Sequence, residues 1–221
     1  MSKSIADIKA NIVEVGCAML AKGLVTGTWG NISALLPNGF VAITPSGGDY
    51  RLLTPADIVT VSSCGITDEE NLIPSSELPL HLAIYAARKD VGAIVHTHSV
   101  FASACAVARC SIPPIIEDLI QVVGGEVAVA EYALPGTKEL AGNTVAALGD
   151  RQAVLMANHG VVACGKTLSQ AMLVAELAEK AAQIYIYAKM LGGPQLLSEK
   201  DVTVMRQFYL DCYQKRQGGS E

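Results

Sequence analysis

VGAIVHTH, at residues 91–98, is an apolar run that ends in two histidines. Short apolar runs bounded by turn signals are typical of buried strands, and strand side chains two positions apart point to the same face. His96 and His98 can therefore hold one ion, and imidazole suits zinc and related divalent metals. Because a histidine at a strand end is more often a surface or core residue, the pair alone leaves both interpretations open.

A third histidine strengthens the metal hypothesis. His159 lies in Asn158-His159-Gly160, directly after the apolar strand predicted at 153–156. Strand ends are places where side chains from different parts of the chain converge, so His159 is a candidate third ligand. Catalytic zinc sites have three protein ligands and an open position, and a carboxylate often fills that position when substrate is absent.

Glu77 is the candidate carboxylate. It follows Ser75 and Ser76 at a predicted helix start, where the helix dipole also favours an acid for purely structural reasons. The two roles are compatible. His81, one helical turn further on, is expected behind the ligands or in the packing, because three histidines and Glu77 already complete a tetrahedral set.

Periodicity and turn residues predict a mixed α/β chain. Residues 1–221 are expected to form one domain, with a polar C-terminal helix or tail from about residue 199. The first three strands suggest an antiparallel meander. Helices are predicted at 5–22, 75–89, 100–108, 136–148, 168–191 and 200–215, and strands at 28–35, 39–44, 58–62, 91–98, 127–130, 153–156 and 161–163.

Composition excludes several classes of partner. The net charge is −5 and no basic run could follow a phosphodiester backbone, so no nucleic-acid partner is expected. The apolar stretches are too short to cross a bilayer and residues 1–10 lack a signal-peptide core, which predicts a cytoplasmic protein without a membrane partner. The six cysteines have no CxxC spacing, and we expect them to be reduced and mostly buried.

Five motifs together carry a family resemblance. In order along the chain they are Gly30-Asn31-Ile32-Ser33, Thr44-Pro45-Ser46-Gly47, Pro74-Ser75-Ser76-Glu77, His96-Thr97-His98 and Asn158-His159-Gly160. From about residue 5 to residue 191 the chain resembles the class II aldolase/adducin family. The resemblance implies an α/β fold with a central, mainly antiparallel β-sheet flanked by α-helices. It also implies a homotetramer with active sites between subunits.

The resemblance further assigns the ligands. It implies that Glu77 and the three histidines hold a divalent ion, with Zn²⁺ expected and Mn²⁺ or another divalent ion as the alternative. Hydroxyls, an amide and unhindered backbone N–H groups near a helix start also suit an anion, although each segment alone is typical of an ordinary turn or cap. The matching phosphate-binding positions are Gly30, Asn31, Ser46, Gly47, Ser75 and Ser76.

The implied reaction is the reversible retro-aldol cleavage of a ketose 1-phosphate, such as L-fuculose 1-phosphate, to dihydroxyacetone phosphate and an aldehyde. A metal ion can stabilise the charge that develops next to the carbonyl. A Schiff-base lysine is the other chemical solution, but no lysine has the apolar surroundings that would lower its pKa. Glu77 is predicted to ligate the ion at rest and to carry the proton of the hydroxymethyl carbon.

A second acid–base group is required on the aldehyde side. Family members of this type use a neighbouring subunit's tyrosine after the segment that corresponds to 111–114, and another near the C-terminus. Here the first segment continues Ile115-Ile116-Glu117-Asp118, without a tyrosine. Glu117 or Asp118 is a candidate replacement, and an acidic turn in solvent is the structural alternative. Tyr209 and Tyr213 are candidates for the C-terminal role, although helix-face tyrosines often only pack.

Three alternative functions share these motifs. An L-ribulose-5-phosphate 4-epimerase uses the same metal and phosphate sites, and an acid near Glu117 would suit it. A methylthioribulose-1-phosphate dehydratase is a third chemistry on the same scaffold. A non-catalytic, adducin-like interaction module belongs to another class, and the retention of Glu77 and the histidines argues against it.

Overall fold

The computed structural model describes residues 4–67 and 72–213, with the Tyr213 side chain outside the description. The helices are α1 Ile5–Ala21, α2 Leu78–Ala87, α3 Val100–Val107, α4 Glu117–Val123, α5 Lys138–Leu148, α6 Leu168–Met190 and α7 Glu199–Phe208. The strands are β1 Asn31–Leu35, β2 Val41–Ile43, β3 Val59–Val61, β4 Ala93–Thr97, β5 Val129–Ala130, β6 Ala153–Met156 and β7 Gly160–Gly165. A 3₁₀ turn, Pro55–Asp57, and a π-helical turn, Tyr209–Tyr213, complete the regular elements.

The strands form one seven-stranded sheet in the order β3-β2-β1-β4-β7-β6-β5. Only the short β5 pairs in parallel, with β6; every other neighbouring pair is antiparallel. The predicted sheet of mainly antiparallel strands flanked by helices is therefore confirmed, including the meander β1–β3. No helix in the described ranges is long and apolar enough to cross a membrane.

Central strand β4 is buried on both faces, which explains its apolar sequence. Ala93 and Val95 pack into the core beneath α1, α3, α4 and α6, whereas Ile94 packs into a second core beneath α2 and α5. Burying a side chain the size of Ile94 stabilises the fold by roughly 1.5–3 kcal/mol. Because His96 shares the parity of Ile94, its ring emerges on the side of the sheet that α2 covers.

Several predicted boundaries shift. The helix predicted from residue 75 begins at Leu78, with Glu77 as its N-cap and Pro79 in the first turn, where proline is tolerated. The segment with Glu117 and Asp118, expected as a candidate acidic turn, is the start of helix α4. Its seven residues are too few to produce a clear helical period in the sequence.

The cysteines also differ from the expectation. Cys105 and Cys164 are buried, Cys110 and Cys212 are intermediate, and Cys17 and Cys64 are exposed. The prediction that they are mostly buried is therefore wrong. All six are free thiols.

Candidate active site

Three imidazoles converge where β4 ends and β7 begins. The Nε2 atoms of His96 and His98 are 2.9 Å apart, and the candidate ligand atoms of His96, His98 and His159 all lie within 4.8 Å of one another. His96 is fully buried on β4, and its Nδ1 donates to the Val161 carbonyl oxygen at 3.0 Å. That bond leaves the lone pair of Nε2 facing the other two rings, as a metal ligand requires.

The tight β6–β7 connection brings His159 to this point. Its backbone N–H donates to the Met156 carbonyl oxygen at 3.0 Å, which closes the turn. Gly160 follows, and a Cβ there would collide with the Thr97 carbonyl oxygen and lie 3.1 Å from the His98 ring. Only glycine therefore allows the two strand ends to approach closely enough for His98 and His159 to share a site.

Glu77 closes the ring of histidines from the start of α2. Its Oε1 lies 2.9 Å from His159 Nε2, and its Oε2 lies 3.2 Å from His96 Nε2 and accepts a hydrogen bond from Asn31 Nδ2 at 3.2 Å. Burial alone would raise the pKa of Glu77, but His96, His159 and the Asn31 amide outweigh it and hold that pKa well below its usual range. The carboxylate is therefore ionised at neutral pH.

Burial keeps His96 and His98 in the neutral form. Burial lowers the pKa of His96, and burial together with the neighbouring rings lowers the pKa of His98 to about 3. Neutral imidazoles are the form that binds metals. The neutral imidazoles of His96 and His98, the imidazole of His159 and the ionised carboxylate of Glu77 make a donor set suited to a divalent ion such as zinc. These residues therefore fit the expected metal.

The predicted phosphate-binding segments line the same pocket as the metal candidates. Two backbone hydrogen bonds hold the segments side by side, from Ser46 N to the Ile73 carbonyl at 2.9 Å and from Ser75 N to the Thr44 carbonyl at 3.1 Å. The cavity measures 360 Å³. Its lining includes all six phosphate candidates, Gly30, Asn31, Ser46, Gly47, Ser75 and Ser76, together with Glu77, His96, His98 and His159. The structure thus brings together ten predicted residues, while their roles stay predictions.

Gly30 allows β1 to run close to β4 at this pocket. Its φ is +78°, and a Cβ there would lie 2.6 Å from the His96 carbonyl oxygen. The register of the two strands sets Asn31 opposite His96. The amide of Asn31 is thereby delivered to the centre of the site.

The candidates for the second acid–base role lie elsewhere on the same chain. Glu117 and Asp118 occupy the first turn of α4, and Asp118 forms an ion pair with Lys180 at 2.6 Å. Tyr209 is buried beneath the Arg206 guanidinium, 5.9 Å from its ring centroid. None of these three lines the metal pocket of its own chain. Their predicted role therefore requires a second copy of the chain, and Tyr213's side chain lies outside the described residues.

The sequence interpretation overlooked Trp29. Its side chain is 66% exposed, and its ring stacks on the His98 ring with a centroid separation of 5.8 Å and an interplanar angle of 28°. Trp29 lines both the metal pocket and a smaller cavity of 240 Å³ that it shares with Thr26 and His98. Two features of the sequence could have indicated Trp29: it is the chain's single tryptophan, and it directly precedes the Gly30-Asn31 motif.

Comparison with known proteins agrees with this geometry. Residues 10–186 match the class II aldolase and adducin N-terminal domain. The chain belongs to this family. It is 41% identical over 195 residues to 5-deoxy-D-ribulose 1-phosphate aldolase of Bacillus thuringiensis serovar kurstaki, covering 88% of this chain and 91% of that protein.

Two further members are similar to this chain over most of its length. L-fuculose phosphate aldolase of Escherichia coli K12 is 35% identical, with 88% of this chain and 90% of that protein covered. A solved L-fuculose 1-phosphate aldolase structure superimposes with a TM-score of 0.89 at 38% identity, covering 95% of this chain and 98% of the other. These class II aldolases are lyases that use a divalent metal, so the prediction of an enzyme of this class is confirmed.

Proposed function

We propose that this class II aldolase reversibly cleaves a ketose 1-phosphate to dihydroxyacetone phosphate and a short aldehyde. The observation that carries the proposal is the contact of one carboxylate, Glu77, with His96 and His159 inside a pocket that also holds the predicted phosphate segments. An acid–base group, a metal-binding donor set and an anion site within one cavity are what this reaction needs. Interaction modules without catalysis have no need of that combination.

The metal would be held by His96, His98 and His159, with Glu77 as the fourth ligand at rest. Zn²⁺ is the proposed ion, because imidazole nitrogen and carboxylate oxygen suit it, and Mn²⁺ is the alternative. When bound, the ion supplies Lewis-acid stabilisation of the negative charge that develops on the substrate oxygens as the carbon–carbon bond breaks.

Glu77 moves the proton at the carbon that becomes the hydroxymethyl group of dihydroxyacetone phosphate. In the cleavage direction, the second acid–base group takes the proton of the hydroxyl on the aldehyde side, and the bond between C3 and C4 breaks. The electron pair remains with the C3 fragment, and Glu77, after taking up a proton from solvent in the substrate complex, delivers that proton to C3. In condensation the same carboxylate removes that proton.

The phosphate group would be held by Asn31 and by the Ser46-Gly47 and Ser75-Ser76 segments. Ser75 and Ser76 directly precede the N-cap of α2, where the helix dipole attracts anions. Binding energy from this remote group orients the reacting carbons next to Glu77. A substrate without phosphate should therefore lose turnover as well as affinity.

The aldehyde end distinguishes the candidate substrates. By their names, the relatives act on 5-deoxy-D-ribulose 1-phosphate and on L-fuculose phosphate. Cleavage of the first type of ketose leaves acetaldehyde, whereas the second leaves lactaldehyde. We propose that the second acid–base group comes from a neighbouring subunit of a homotetramer, with Glu117, Asp118 and Tyr209 as the candidates in this chain.

Product analysis tests the proposal. The purified enzyme is incubated with L-fuculose 1-phosphate, 5-deoxy-D-ribulose 1-phosphate, L-ribulose 5-phosphate and methylthioribulose 1-phosphate, and the release of dihydroxyacetone phosphate is followed with a coupled dehydrogenase. Release from at least one ketose 1-phosphate is expected, with loss of rate when the phosphate is removed. Epimer formation without triose phosphate would instead show a 4-epimerase, and loss of water from methylthioribulose 1-phosphate would show a dehydratase.

A further inference from the structure

A line of buried hydrogen bonds runs away from Glu77 behind the pocket wall. Asn31 Oδ1 lies 2.5 Å from His81 Nε2, and His81 Nδ1 lies 2.6 Å from Ser33 Oγ. The hydroxyl of Tyr85 is 2.8 Å from the same Ser33 oxygen. His81 and Ser33 are fully buried, and Asn31 is 4% exposed.

The carboxylate of Glu77, at one end of this line, determines which atom donates and which accepts in every hydrogen bond along it. The ionised Glu77 carboxylate only accepts, so the Asn31 amide must turn its nitrogen toward Glu77 and its oxygen toward His81. Asn31 Oδ1 also only accepts, and His81 Nε2 must therefore carry the proton. A neutral His81 then accepts at Nδ1 from the Ser33 hydroxyl, and Ser33 in turn accepts from the Tyr85 hydroxyl.

We infer that His81, held in its Nε2–H tautomer between Asn31 and Ser33, is a positioning residue that sets the Asn31 amide for its contacts with Glu77 and with the substrate phosphate. The inference rests on the proposed function for its kinetic consequences. The His81 imidazole is hydrogen-bonded to Asn31 and Ser33, and not to any of the four candidate metal ligands in the described chain. It acts entirely through Asn31.

The orientation of the Asn31 amide matters because its nitrogen faces both Glu77 and the pocket. One N–H of Nδ2 donates to Glu77 Oε2, and the amide lines the pocket, so its second N–H is available to an anion there. If His81 released the amide oxygen, Asn31 could rotate away from both groups at once. The carboxylate would lose an orienting donor and the phosphate would lose a ligand.

Nitrogen NMR of histidine tests the tautomer directly. With ¹⁵N-labelled histidine, imidazole nitrogen shifts distinguish the Nε2–H tautomer, the Nδ1–H tautomer and the imidazolium. The His81 signals are assigned by their loss in a His81→Gln variant and recorded in both zinc-loaded and metal-free protein. A neutral Nε2–H ring at about pH 7 is expected. An Nδ1–H ring or an imidazolium would overturn the inference, whatever the enzyme's activity.

Kinetics test the positioning role, with exchange of the dihydroxyacetone phosphate proton into D₂O as the assay. His81→Leu removes the donor to Asn31, and we expect a loss of roughly 10- to 100-fold in exchange, together with a higher KM. His81→Gln keeps an N–H that can reach Asn31 and should recover much of both losses. A merely structural histidine would lower the active fraction and leave KM unchanged in both variants.

A second pair of variants tests the inference even if His81→Leu fails to fold. Ser33→Ala and Tyr85→Phe each delete one buried hydroxyl from the same line, but only Ser33→Ala removes the hydrogen-bond partner of His81 Nδ1. We expect the larger loss of exchange and the larger rise in KM from Ser33→Ala. Equal effects of the two variants, or the reverse order, would contradict the inference. Absence of exchange in the wild-type enzyme would reject the proposed function instead, and the tautomer spectrum would still decide the network.

Discussion

Arg109 and Asn158, the two non-glycine residues with positive φ in the described chain, are hydrogen-bonded to each other. Their φ angles are +56° and +54°, and Arg109 Nη2 donates to Asn158 Oδ1 at 2.5 Å. Asn158 directly precedes the candidate ligand His159, so the left-handed residue forms part of the turn that aims that imidazole. Backbone strain next to a candidate ligand is a recurring feature of functional sites.

Substitution of Asn158 tests the importance of this turn. Asn158→Ala and Asn158→Gly both lose the contact with Arg109, but only glycine adopts the left-handed conformation without a steric cost. Asn158→Ala should lower the free energy of unfolding by about 1–2 kcal/mol relative to Asn158→Gly and should weaken metal binding. Urea denaturation and metal titration measure the two effects. Equal stability of the variants would show that the turn relaxes freely.

Metal content tests the histidine cluster. Because three imidazoles and a carboxylate converge, the purified enzyme should contain about one divalent ion per chain, which elemental analysis measures. The double substitution His96→Ala, His98→Ala should remove it. Circular dichroism provides the control for folding, and full metal content in the folded double variant would place the ion elsewhere.

Trp29 provides an optical report on the same site. Trp29 is the single tryptophan and stacks on the candidate ligand His98. Its fluorescence should therefore be strongly quenched when Co²⁺ binds to the metal-free protein. Zn²⁺ has a closed d shell and should change the emission much less. His98→Ala should abolish the Co²⁺ effect. Unchanged emission at a Co²⁺ concentration that restores activity would contradict the proximity of Trp29 to the ion.

Thiol reactivity tests the packing around the sheet. Burial raises the pKa of Cys105 to about 11 and that of Cys164 to about 12, and the thiolate is the form that reacts. In the native protein Cys17 and Cys64 should therefore be alkylated first, while Cys105 and Cys164 should react only after unfolding. Mass spectrometry of iodoacetamide-treated peptides identifies the sites. Fast native labelling of Cys164 would be inconsistent with its place on β7.

Local sequence patterns predicted most of the sheet and the three histidines of the pocket, and the family resemblance added the six phosphate candidates, whereas Trp29 was not predicted. The apolar run ending at His96 and the glycine-flanked His159 are recognisable because strand ends and tight turns leave strong local signals. Helix α4 was missed because it is short, and the position of Trp29 in the pocket was missed because its stacking on His98 depends on how loops meet in space. The hydrogen bonds of His81 likewise depend on how α2 lies against β1, which no local pattern specifies.

The central claim is that Glu77 carries the substrate proton, and the Glu77→Gln variant tests it most directly. Glutamine keeps the shape of the side chain and an oxygen that can ligate the metal, but it lacks a basic carboxylate. With metal content verified, exchange of the dihydroxyacetone phosphate proton into D₂O is compared with the wild-type rate, in the absence of any aldehyde. We expect a fall of roughly 10²- to 10⁴-fold, as is typical when a general acid–base group is lost. A metal-loaded Glu77→Gln enzyme that exchanges this proton at the wild-type rate would show that another group is the base.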